Sequence, residues 1–348
     1  MSIFISLIRK ETLHLVRDFR TLTVVLIMPL VLLLLFGFAI STEVNDIRVA
    51  VVTDRHTPQS REALEKLRAN ACFTFVGVVP HAEALPLLRR GEADAVVIFR
   101  TDNGRLIHQI MVDASNTNTA QTSAAYIEGA LGAAGREPVI TATLYNPQLK
   151  SAYNFVPGIM GMIFILICAM MTSVSIVSEK ETGTMDLLLV SPVRPHTVIL
   201  GKIVPYFLLS CVILALMLLL SYAVLGLPFP AGILHVVWVS LLYIVLALGL
   251  GLLVSSLVSS QVAALLVSGV LFMLPVIMLS GMIFPVDNMP AVLQWVSCAI
   301  PARWYIAALR KLMIQQLPAG GIVAEAAVLG GMTLLVLTLA VRKFNSKH

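Results

Sequence analysis

The segment from Ser178 to Lys202 is short, charged and amphipathic, and it lies between two long apolar runs. Glu179, Lys180 and Glu181 mark the end of the first run, because a charged side chain is disfavoured in hydrocarbon by about 2.5–3.5 kcal/mol. A short charged and amphipathic segment between two membrane runs can dock onto another protein. The alternative is an ordinary connector whose charges only set membrane topology, and these residues alone leave both interpretations open.

A short helix is predicted directly after these charges. Thr182 can cap this helix, and Gly183 permits a sharp turn of the chain. The helix is expected to end at Pro192 and Pro195, since proline interrupts helical hydrogen bonding. Its apolar face is formed, at helical spacing, by Met185, Leu188 and Leu189. One or two turns of helix lying across a membrane surface have the shape of a docking element.

The pattern E-K-E-x-G-T-x-x-x-L-L-x-(S/T)-P, which begins at Glu179, resembles the permease subunits of bacterial ABC-2 type exporters. In that family the segment follows the second membrane helix and seats in a groove of the ATPase subunit. The resemblance implies that residues 179–202 form a cytoplasmic coupling segment. The residues implied to couple transport to ATP hydrolysis are Glu179, Lys180, Glu181, Gly183, Thr184, Met185, Leu188 and Leu189.

Composition identifies an integral membrane protein with a modest soluble part. Of 348 residues, 58% are hydrophobic and 12% are charged, whereas an ordinary soluble domain is about 25% charged. About 20 apolar helical residues span a hydrocarbon core of about 30 Å. Six such runs are predicted at residues 21–41, 157–178, 204–226, 233–257, 262–284 and 321–341. The first could be a signal peptide, but it is longer than the usual apolar region of about 7–15 residues.

Residues 1–20 are predicted to be an amphipathic helix in the membrane interface. Its basic side carries Arg9, Arg17 and Arg20. Basic residues also follow the last span, in the tail 342–348, and the positive-inside rule makes both ends cytoplasmic. The coupling segment is then cytoplasmic and residues 43–154 lie outside. Arg303, Arg310 and Lys311 fall on the outer side and oppose the rule, but the terminal charges outnumber them.

Residues 43–154 are much more polar than the rest of the chain and are predicted to form an α/β domain. Strand and helix patterns alternate, which predicts a small mixed sheet covered by helices. Thr57 and Pro58 suit the cap and first residue of one helix. The strands are predicted at 48–53, 73–79, 95–99, 105–112 and 139–145, and the helices at 58–69, 83–90 and 117–134. The segments V-D-A-S-N-T-N-T-A, Y-N-P-Q-L-K-S and F-V-P-G resemble the ABC-2 branch that has a large extracytoplasmic domain between its first two helices.

Residues 285–317 are neither a clean span nor a polar loop. Two short helical pieces are predicted at 290–299 and 303–315, and their Trp and Tyr residues favour the membrane interface. The pattern F-P-x-x-x-M-P-x-x-L-Q-W resembles the re-entrant helical hairpin of ABC-2 permeases. The sequence departs from that family at Ile300, where many relatives have Asn before the proline. The residues implied to form the hairpin are Pro285, Met289, Pro290, Trp295 and Pro301.

The sequence lacks the motifs of several enzyme classes. No G-x-x-x-x-G-K-(S/T) occurs, so no cofactor is expected on this chain, and ATP with magnesium is expected on a separate ATPase subunit. No Ser/His/Asp, H-E-x-x-H or paired-carboxylate pattern supports an enzyme. Glu325 in the last run is expected to pair with Arg310 or Lys311 rather than to carry protons. The basic residues are dispersed, so no nucleic-acid partner is expected. The four cysteines are isolated and predict neither a disulfide framework nor a zinc site. Cys72 and Cys298 could both face an oxidising compartment.

The alternative function is a membrane-anchored receptor or sensor that uses the outer α/β domain. Such a receptor needs a cytoplasmic output domain, and the inner segments are too short to fold alone. The chain is therefore predicted to be an α-helical, six-span permease of the ABC-2 or type V exporter kind, with an inserted α/β domain, in a bacterial inner membrane. The resemblance implies two ATPase copies, a second permease copy or paralogue, contact with membrane lipid, a periplasmic adaptor in some members, and a hydrophobic or amphipathic substrate that is drug-like or lipid-like.

Overall fold

The computed structural model describes residues 2–39, 47–53, 57–70, 72–102, 105–112, 117–132, 151–184, 195–230, 232–284, 286 and 289–346. The chain divides into a helical unit, Met1–Ile40 with Ser151–His348, and a sheet unit, Ser41–Lys150. The helices are α1 (Ser2–Arg17), α2 (Phe19–Ala39), α3 (Pro58–Ala69), α4 (His81–Arg89), α5 (Thr117–Leu131), α6 (Ser151–Glu181), α7 (Pro195–Ala223), α8 (Ile233–Ser255), α9 (Gln261–Leu279), α10 (Ala291–Ser297), α11 (Pro301–Leu309) and α12 (Val323–Ser346). The strands are β1 (Ile47–Thr53), β2 (Phe73–Val78), β3 (Ala95–Asp102) and β4 (Arg105–Val112).

Within the residues that the structure describes, six helices of the helical unit are long and apolar enough to cross a membrane. They are α2, α6, α7, α8, α9 and α12. Each coincides with one of the six apolar runs, so the prediction of a mostly helical membrane protein with six candidate spans is confirmed. Their ends extend beyond several of the predicted runs, because a helix can continue into polar residues after the apolar stretch has ended.

Pro195 is the first residue of α7, whereas the apolar run is predicted to begin at residue 204, and the short helix that Pro192 and Pro195 are expected to end lies outside the described residues. Proline suits this position, since the first backbone N–H of a helix has no partner inside the helix. Lys202, predicted to be the last residue of the connector, therefore lies about two turns inside α7. Its charge is carried into the packed part of the helical unit.

α6 is the central helix of the helical unit and contacts α2, α7, α8, α9 and α11. Gly251 of α8 permits a close approach to it, because a Cβ at this position would lie 2.5 Å from the Ala169 carbonyl oxygen. Gly161 of α6 faces α11 in the same way, and a Cβ there would lie 2.9 Å from Cγ1 of Ile306. Small residues thus determine how closely α8 and α11 pack on α6.

Two buried tyrosines join α8 to α11. The rings of Tyr243 and Tyr305 stack with centroids 4.1 Å apart and planes 6° apart. Tyr243 Oη donates to the Gly161 carbonyl at 2.8 Å. Tyr305 Oη shares a hydrogen bond of 2.8 Å with Ser240 Oγ. Both phenol groups are therefore satisfied inside an otherwise apolar core.

α10 and α11 form a helical hairpin in the region where two short helical pieces are predicted. Arg303 donates to the Gln294 carbonyl at 2.8 Å, and Trp304 Nε1 donates to the Cys298 carbonyl at 2.9 Å. These bonds satisfy carbonyls at the end of α10, which has no following helical turn to use them. Pro301 starts α11.

The other predicted hairpin residues have different environments. Met289 accepts a hydrogen bond on its carbonyl from Gln294 Nε2 at 2.9 Å. Pro290 directly precedes α10. Trp295 is 79% exposed on the outer surface of α10, which suits a residue that favours the membrane interface. Pro285 lies outside the described residues.

α11 continues into a π-helical turn, Arg310–Ile314. In this turn Lys311 Nζ lies 2.6 Å from Oε1 of Glu325 in α12. Arg310 donates instead to the Gly281 carbonyl at 2.8 Å. The predicted pairing of Glu325 with one of its two neighbouring cations is therefore confirmed for Lys311.

The sheet unit contains a four-stranded sheet in the order β2-β1-β3-β4. β1 pairs in parallel with β2 and β3, and β3 pairs antiparallel with β4. Alternate residues of β1 face opposite sides, as in any strand. Val49 and Val51 pack with residues of α3 and α5, whereas Ala50 and Val52 pack with residues of α4. Helices thus cover both faces, and the strand predicted at 139–145 lies outside the described residues.

The first helix of the sheet unit begins at the cap that its sequence predicts. Thr57 Oγ1 accepts from the Ser60 backbone N at 3.1 Å. Ser60 Oγ in turn accepts from the Thr57 backbone N at 2.9 Å. This reciprocal arrangement satisfies two backbone donors, and Pro58 supplies the first helical residue.

Candidate functional site

At one end of the helical unit, α1 packs on the N-terminal end of α7, its Lys10 binds the C-terminal end of α6, and that end of α6 binds the first residue of α9. We call this the α1 end, and its central residues are Lys10, Glu11, Glu179, Lys202 and Gln261. Most of the predicted coupling residues that the structure describes belong to it. The site is therefore built from segments that are far apart in the chain.

Asp18 separates α1 from α2 and fixes the turn between them. Its Oδ1 accepts from the Thr21 backbone N at 3.2 Å. The hydrogen bonds of the Thr21 side chain and backbone N–H keep the pKa of Asp18 below its ordinary value. An aspartate in this position satisfies one of the free donors at the start of α2, which explains why the predicted single helix to residue 20 is broken at residue 18.

Four charged side chains form a cluster between α1, α6 and α7. Lys10 Nζ donates to Glu179 Oε1 at 3.0 Å, and Lys202 Nζ lies 3.1 Å from Glu179 Oε2. Glu11 Oε1 lies 3.4 Å from Lys202 Nζ and 3.6 Å from Lys10 Nζ. Two cations and two anions alternate, so the four-charge cluster is electrically balanced.

Three members of the four-charge cluster are buried, since Glu11, Glu179 and Lys202 expose only 6%, 8% and 4% of their surface. Removing an ion from water costs several kcal/mol, which a close and well-bonded counter-ion must offset. Lys202 Nζ gains a further contact with Ser175 Oγ at 3.3 Å. The cluster therefore holds α1 against α6 and α7 through paired charges, and the loss of a buried partner would leave an uncompensated buried charge.

Lys10 reaches the cluster from the solvent side, and its side chain is 57% exposed. Burial alone would lower the pKa of its amine. The hydrogen bond and charge of Glu179, with a smaller effect from Glu11, outweigh that effect and raise the pKa of Lys10 above its ordinary value. Lys10 therefore stays charged at neutral pH, and its contribution is lost only when the pH rises through the raised pKa.

The next two charges join α6 to α8 and α9. Lys180 Nζ donates to the carbonyl of Ser255, the last residue of α8. Glu181 accepts two hydrogen bonds from Gln261, one from the backbone N at 2.9 Å and one from Nε2 at 2.6 Å. Since Gln261 is the first residue of α9, the Glu181 carboxylate lies at a helix N-terminus, where the helix dipole favours an anion.

The chain turns sharply after α6 at Gly183, whose φ is +71°. Glycine adopts this left-handed conformation without the steric cost that a Cβ brings. Thr182 Oγ1 donates to the Ser178 carbonyl at the end of α6 at 2.9 Å, and the helix that Thr182 is predicted to cap lies outside the described residues. Thr184 Oγ1 donates to the Glu179 carbonyl at 3.3 Å. Met185, Leu188 and Leu189 lie outside the described residues, so the short helix that they predict stays a prediction.

A cavity of about 450 Å³ opens beside the four-charge cluster. All four cluster residues line it, and so do Thr182 and Thr184. Because it runs from the cluster to the turn after α6, the ion pairs and the start of the predicted coupling segment share one cavity. A displacement of that turn is therefore expected to change the surroundings of the buried charges.

Sequence reasoning identified part of the α1 end and missed part of it. The predicted interface residues Arg9, Arg17 and Arg20 are exposed and are not members of the four-charge cluster. The missed members are Lys10, Glu11 and Lys202. Helical spacing could have indicated Glu11, because it falls on the same face as Phe4, Ile8 and Leu15. An acid on the apolar face of a basic helix needs a cation from another element.

The chemistry at the α1 end is ion pairing and hydrogen bonding. Among the described residues, no group of three or more His, Cys, Asp or Glu side chains is arranged to hold a metal ion. All four cysteines are free thiols. The arrangement holds the ends of α1, α6, α7, α8 and α9 together, directly before the segment that is predicted to dock.

Residues 19–342, from α2 to α12, match the family described as "ABC-2 family transporter protein". The chain belongs to the ABC-2 transporter family. This ABC-2 protein is similar to "Probable multidrug ABC transporter permease YbhS" of Escherichia coli (strain K12). The two are 29% identical over 326 residues, which cover 88% of this chain and 86% of YbhS.

Two further relatives of the ABC-2 protein differ in how much they share with it. "Probable multidrug ABC transporter permease YbhR" of Escherichia coli (strain K12) is 29% identical over 320 residues, which cover 86% of each chain. "ABC transporter G family member 23" of Dictyostelium discoideum is 26% identical over 200 residues, which cover 55% of this chain and 28% of that protein. The family match includes Glu179, Glu181 and Lys202, so the α1 end is part of the shared region except for α1 itself.

Proposed function

We propose that this chain is the permease subunit of an ABC exporter. It moves a hydrophobic or amphipathic compound, drug-like or lipid-like, out of the cytoplasm or the inner leaflet. Separate ATPase subunits bind ATP and magnesium and supply the energy. The proposal is supported by membership of the ABC-2 family and by similarity to YbhS and YbhR, whose names describe probable multidrug ABC transporter permeases.

The observation that carries the proposal is the anchoring of the end of α6. Glu179 is bound to α1 and α7 through Lys10 and Lys202, and Glu181 is bound to α9 through Gln261. These bonds lie directly before the predicted coupling segment. A force that an ATPase subunit applies to that segment would therefore reach several spans together, because the ion pairs and hydrogen bonds resist separate movement of each helix.

In this proposal the α1 end and both termini are cytoplasmic in a bacterial cell, and the protein lies in the inner membrane. The exposed Arg9, Arg17 and Arg20 support this orientation, since cytoplasmic flanks of membrane spans are enriched in basic residues. The sheet unit then becomes an extracytoplasmic domain inserted between the first two spans. Such a domain is a suitable contact for a periplasmic adaptor.

We further propose that two permease chains, identical or paralogous, assemble with two ATPase subunits. α2 and α9 support this, because only 11% and 17% of their apolar windows are buried within the unit. Those helices leave apolar surface available for a second copy or for lipid. The transport pathway would then lie between the first, second and fifth spans, α2, α6 and α9, of the two copies.

The test is to purify the full chain from its native membrane in a mild detergent, identify the proteins that accompany it and assay ATPase activity. We expect an ATPase subunit to co-purify and transport to be measurable in vesicles. Glu181→Arg places a cation at the start of α9, and Gly183→Pro cannot adopt the φ of +71°. Both variants should lose transport while still inserting into the membrane.

Glu92→Arg is a matched charge reversal at an exposed residue of the sheet unit, and it should keep normal transport. Normal transport by well-inserted Glu181→Arg and Gly183→Pro variants would contradict the coupling role. A chain that purifies alone in several mild detergents would instead favour a membrane-anchored receptor.

A further inference from the structure

A cleft of about 620 Å³ lies between α9, α12 and the turn that joins α10 to α11, and Ile165 of α6 and Leu250 of α8 also line it. Leu271 and Pro275 come from α9, Gly331 and Leu335 come from α12, and Ile300 comes from the hairpin turn. The volume is within the range of about 300–1,000 Å³ that is usual for small-molecule sites. Every residue that the described part of the chain contributes to the lining is apolar.

The cleft lies within the depth of the candidate membrane spans. Its α9 residues belong to the span Gln261–Leu279, and its α12 residues, from Val328 to Val336, lie in the middle of the span Ala319–Lys343. Leu271 and Leu335 expose 51% and 59% of their surface. In a membrane these exposed side chains face the hydrocarbon, so the cleft is open to the lipid at its side.

We propose that this cleft binds an acyl chain of a membrane phospholipid. Water is a poor occupant, because an apolar cavity offers it no hydrogen-bond partners. A polar solute at this depth would also leave its polar groups unsatisfied. Hydrocarbon from the adjoining bilayer has both the matching chemistry and direct access. The inference uses only the membrane location of these helices, and it depends neither on export nor on an ATPase partner.

An acyl chain in this cleft would contact the hairpin turn as well as two spans. Ile300 directly precedes α11, the helix that carries Tyr305 into the core. A bound chain therefore fills the space beneath the turn, where the apolar surfaces of α9 and α12 otherwise have no packing partner. Lipid occupancy is expected to protect the hairpin from local opening.

Gly331 makes the proposal testable. It lines the cleft, and a Cβ built on it has no heavy atom within 4 Å. A larger side chain at this position can therefore extend into the cleft without displacing other atoms of the protein. Gly330 is a matched control, because a Cβ there also has nothing within 4 Å and Gly330 is not part of the lining.

The experiment uses the full chain in nanodiscs that contain a phosphatidylcholine with a diazirine in the middle of one acyl chain. After irradiation, mass spectrometry maps the adducts. In the wild-type chain we expect more adducts on residues 271–276 and 328–336 than on the exposed face of α2. In Gly331→Leu they should fall about tenfold, which corresponds to about 1.4 kcal/mol of binding free energy, while Gly330→Leu should keep the wild-type level.

Ala299→Leu is a second variant that fills the cleft from the hairpin turn and leaves α12 unchanged. It should reduce the adducts in the same way, with a melting temperature close to that of the wild type. Equal labelling of the wild type, Gly331→Leu and Ala299→Leu would overturn the proposal. Disulfides between two copies of a Gly331→Cys variant would also overturn it, because a second chain would then occupy the cleft.

Discussion

Lys202 Nζ lies 3.4 Å from Glu11 Oε1, although 191 positions separate the two residues in the chain. Both side chains are buried, and Glu179 completes the contact from α6. The N-terminal helix is thus attached to the membrane spans by charges and not only by the peptide bonds at Asp18. Because of these ion pairs, α1 is expected to move together with the ends of α6 and α7.

Removing Lys202 should strongly destabilise the helical unit. Lys202→Met leaves Glu11 and Glu179 buried with only the exposed Lys10 to compensate them, and the loss of one partner of a buried pair costs about 3–5 kcal/mol. We expect a clear decrease in the melting temperature of the full chain in detergent. Lys10→Met, at the exposed edge of the same cluster, should cost no more than about 1 kcal/mol.

A charge exchange tests whether the two ions act on each other. Glu11→Lys and Lys202→Glu should each be destabilising, and the double variant should regain part of the loss. A double-mutant cycle on the melting data should give a coupling of about 0.5–3 kcal/mol. Strictly additive effects would mean that α1 is held by its apolar contacts alone.

Gly251→Ala should disturb the packing of α8 on α6. The added Cβ would lie 2.5 Å from a backbone oxygen and 2.9 Å from the Cα of Ala169, so the helices must separate. Overpacking of this kind costs about 1–3 kcal/mol. Gly269→Ala in α9 is the control, because a Cβ there has nothing within 4 Å. It should be neutral or slightly stabilising, and equal melting temperatures for the two variants would contradict the close contact.

The stacked tyrosines should contribute mainly through their rings. In Tyr305→Phe, Ser240 Oγ keeps its bond to the Val236 carbonyl, so the loss should be about 0.5–1.5 kcal/mol. Tyr305→Ala removes a buried ring and should cost about 3–5 kcal/mol. Trp295→Ala is a suitable control, since Trp295 is 79% exposed. Thermal unfolding in detergent measures the stability of each variant. Equal decreases in stability for Tyr305→Phe and Tyr305→Ala would mean that the hydroxyl, and not the ring, provides the stabilisation.

The sheet unit should lose stability in acid through Asp94. Arg48 Nη2 donates to Asp94 Oδ1 at 2.7 Å, and the hydrogen bonds and charge of Arg48 lower the pKa of Asp94 below its ordinary value of 3.8. Because the pKa of Asp94 is lower in the folded state than in the unfolded state, its ionised form stabilises the folded protein at pH values above the unfolded-state pKa. That stabilisation is lost as the pH falls through the folded-state pKa. Hydrogen exchange of β1 and β3, corrected for intrinsic rates, should accelerate in that range.

Asp94→Asn is the control for this pH dependence, because it keeps the shape of the side chain and removes the titration. We expect the variant to exchange faster than the wild type at neutral pH and to show a weaker change on acidification. A wild-type acid response that persists unchanged in Asp94→Asn would assign the effect to another carboxylate. The effect should be modest, since the Arg48 and Asp94 side chains are 43% and 26% exposed.

The features that sequence predicts well are those that depend on neighbouring residues. The six spans follow from local hydropathy, and the cap at Thr57 follows from the chemistry of a few adjacent residues. The sequence also predicted that Glu325 pairs with Arg310 or Lys311, because a carboxylate in an apolar run needs a cation, and the structure selects Lys311. The start of α7 was predicted too late, at residue 204 and not at Pro195, because local hydropathy marks only the apolar part of a helix.

The sequence alone determined that this is a membrane protein, where its six candidate spans lie and which family motifs it carries. These features depend on hydropathy and spacing among neighbouring residues. Only the tertiary structure decided that Glu11, Glu179 and Lys202 meet, that Gly251 lies against Ala169, and that Gly331 opens onto a cleft. Those relationships depend on which helices are neighbours and how they are rotated. Helix packing decides both, through contacts between residues that are distant in the chain.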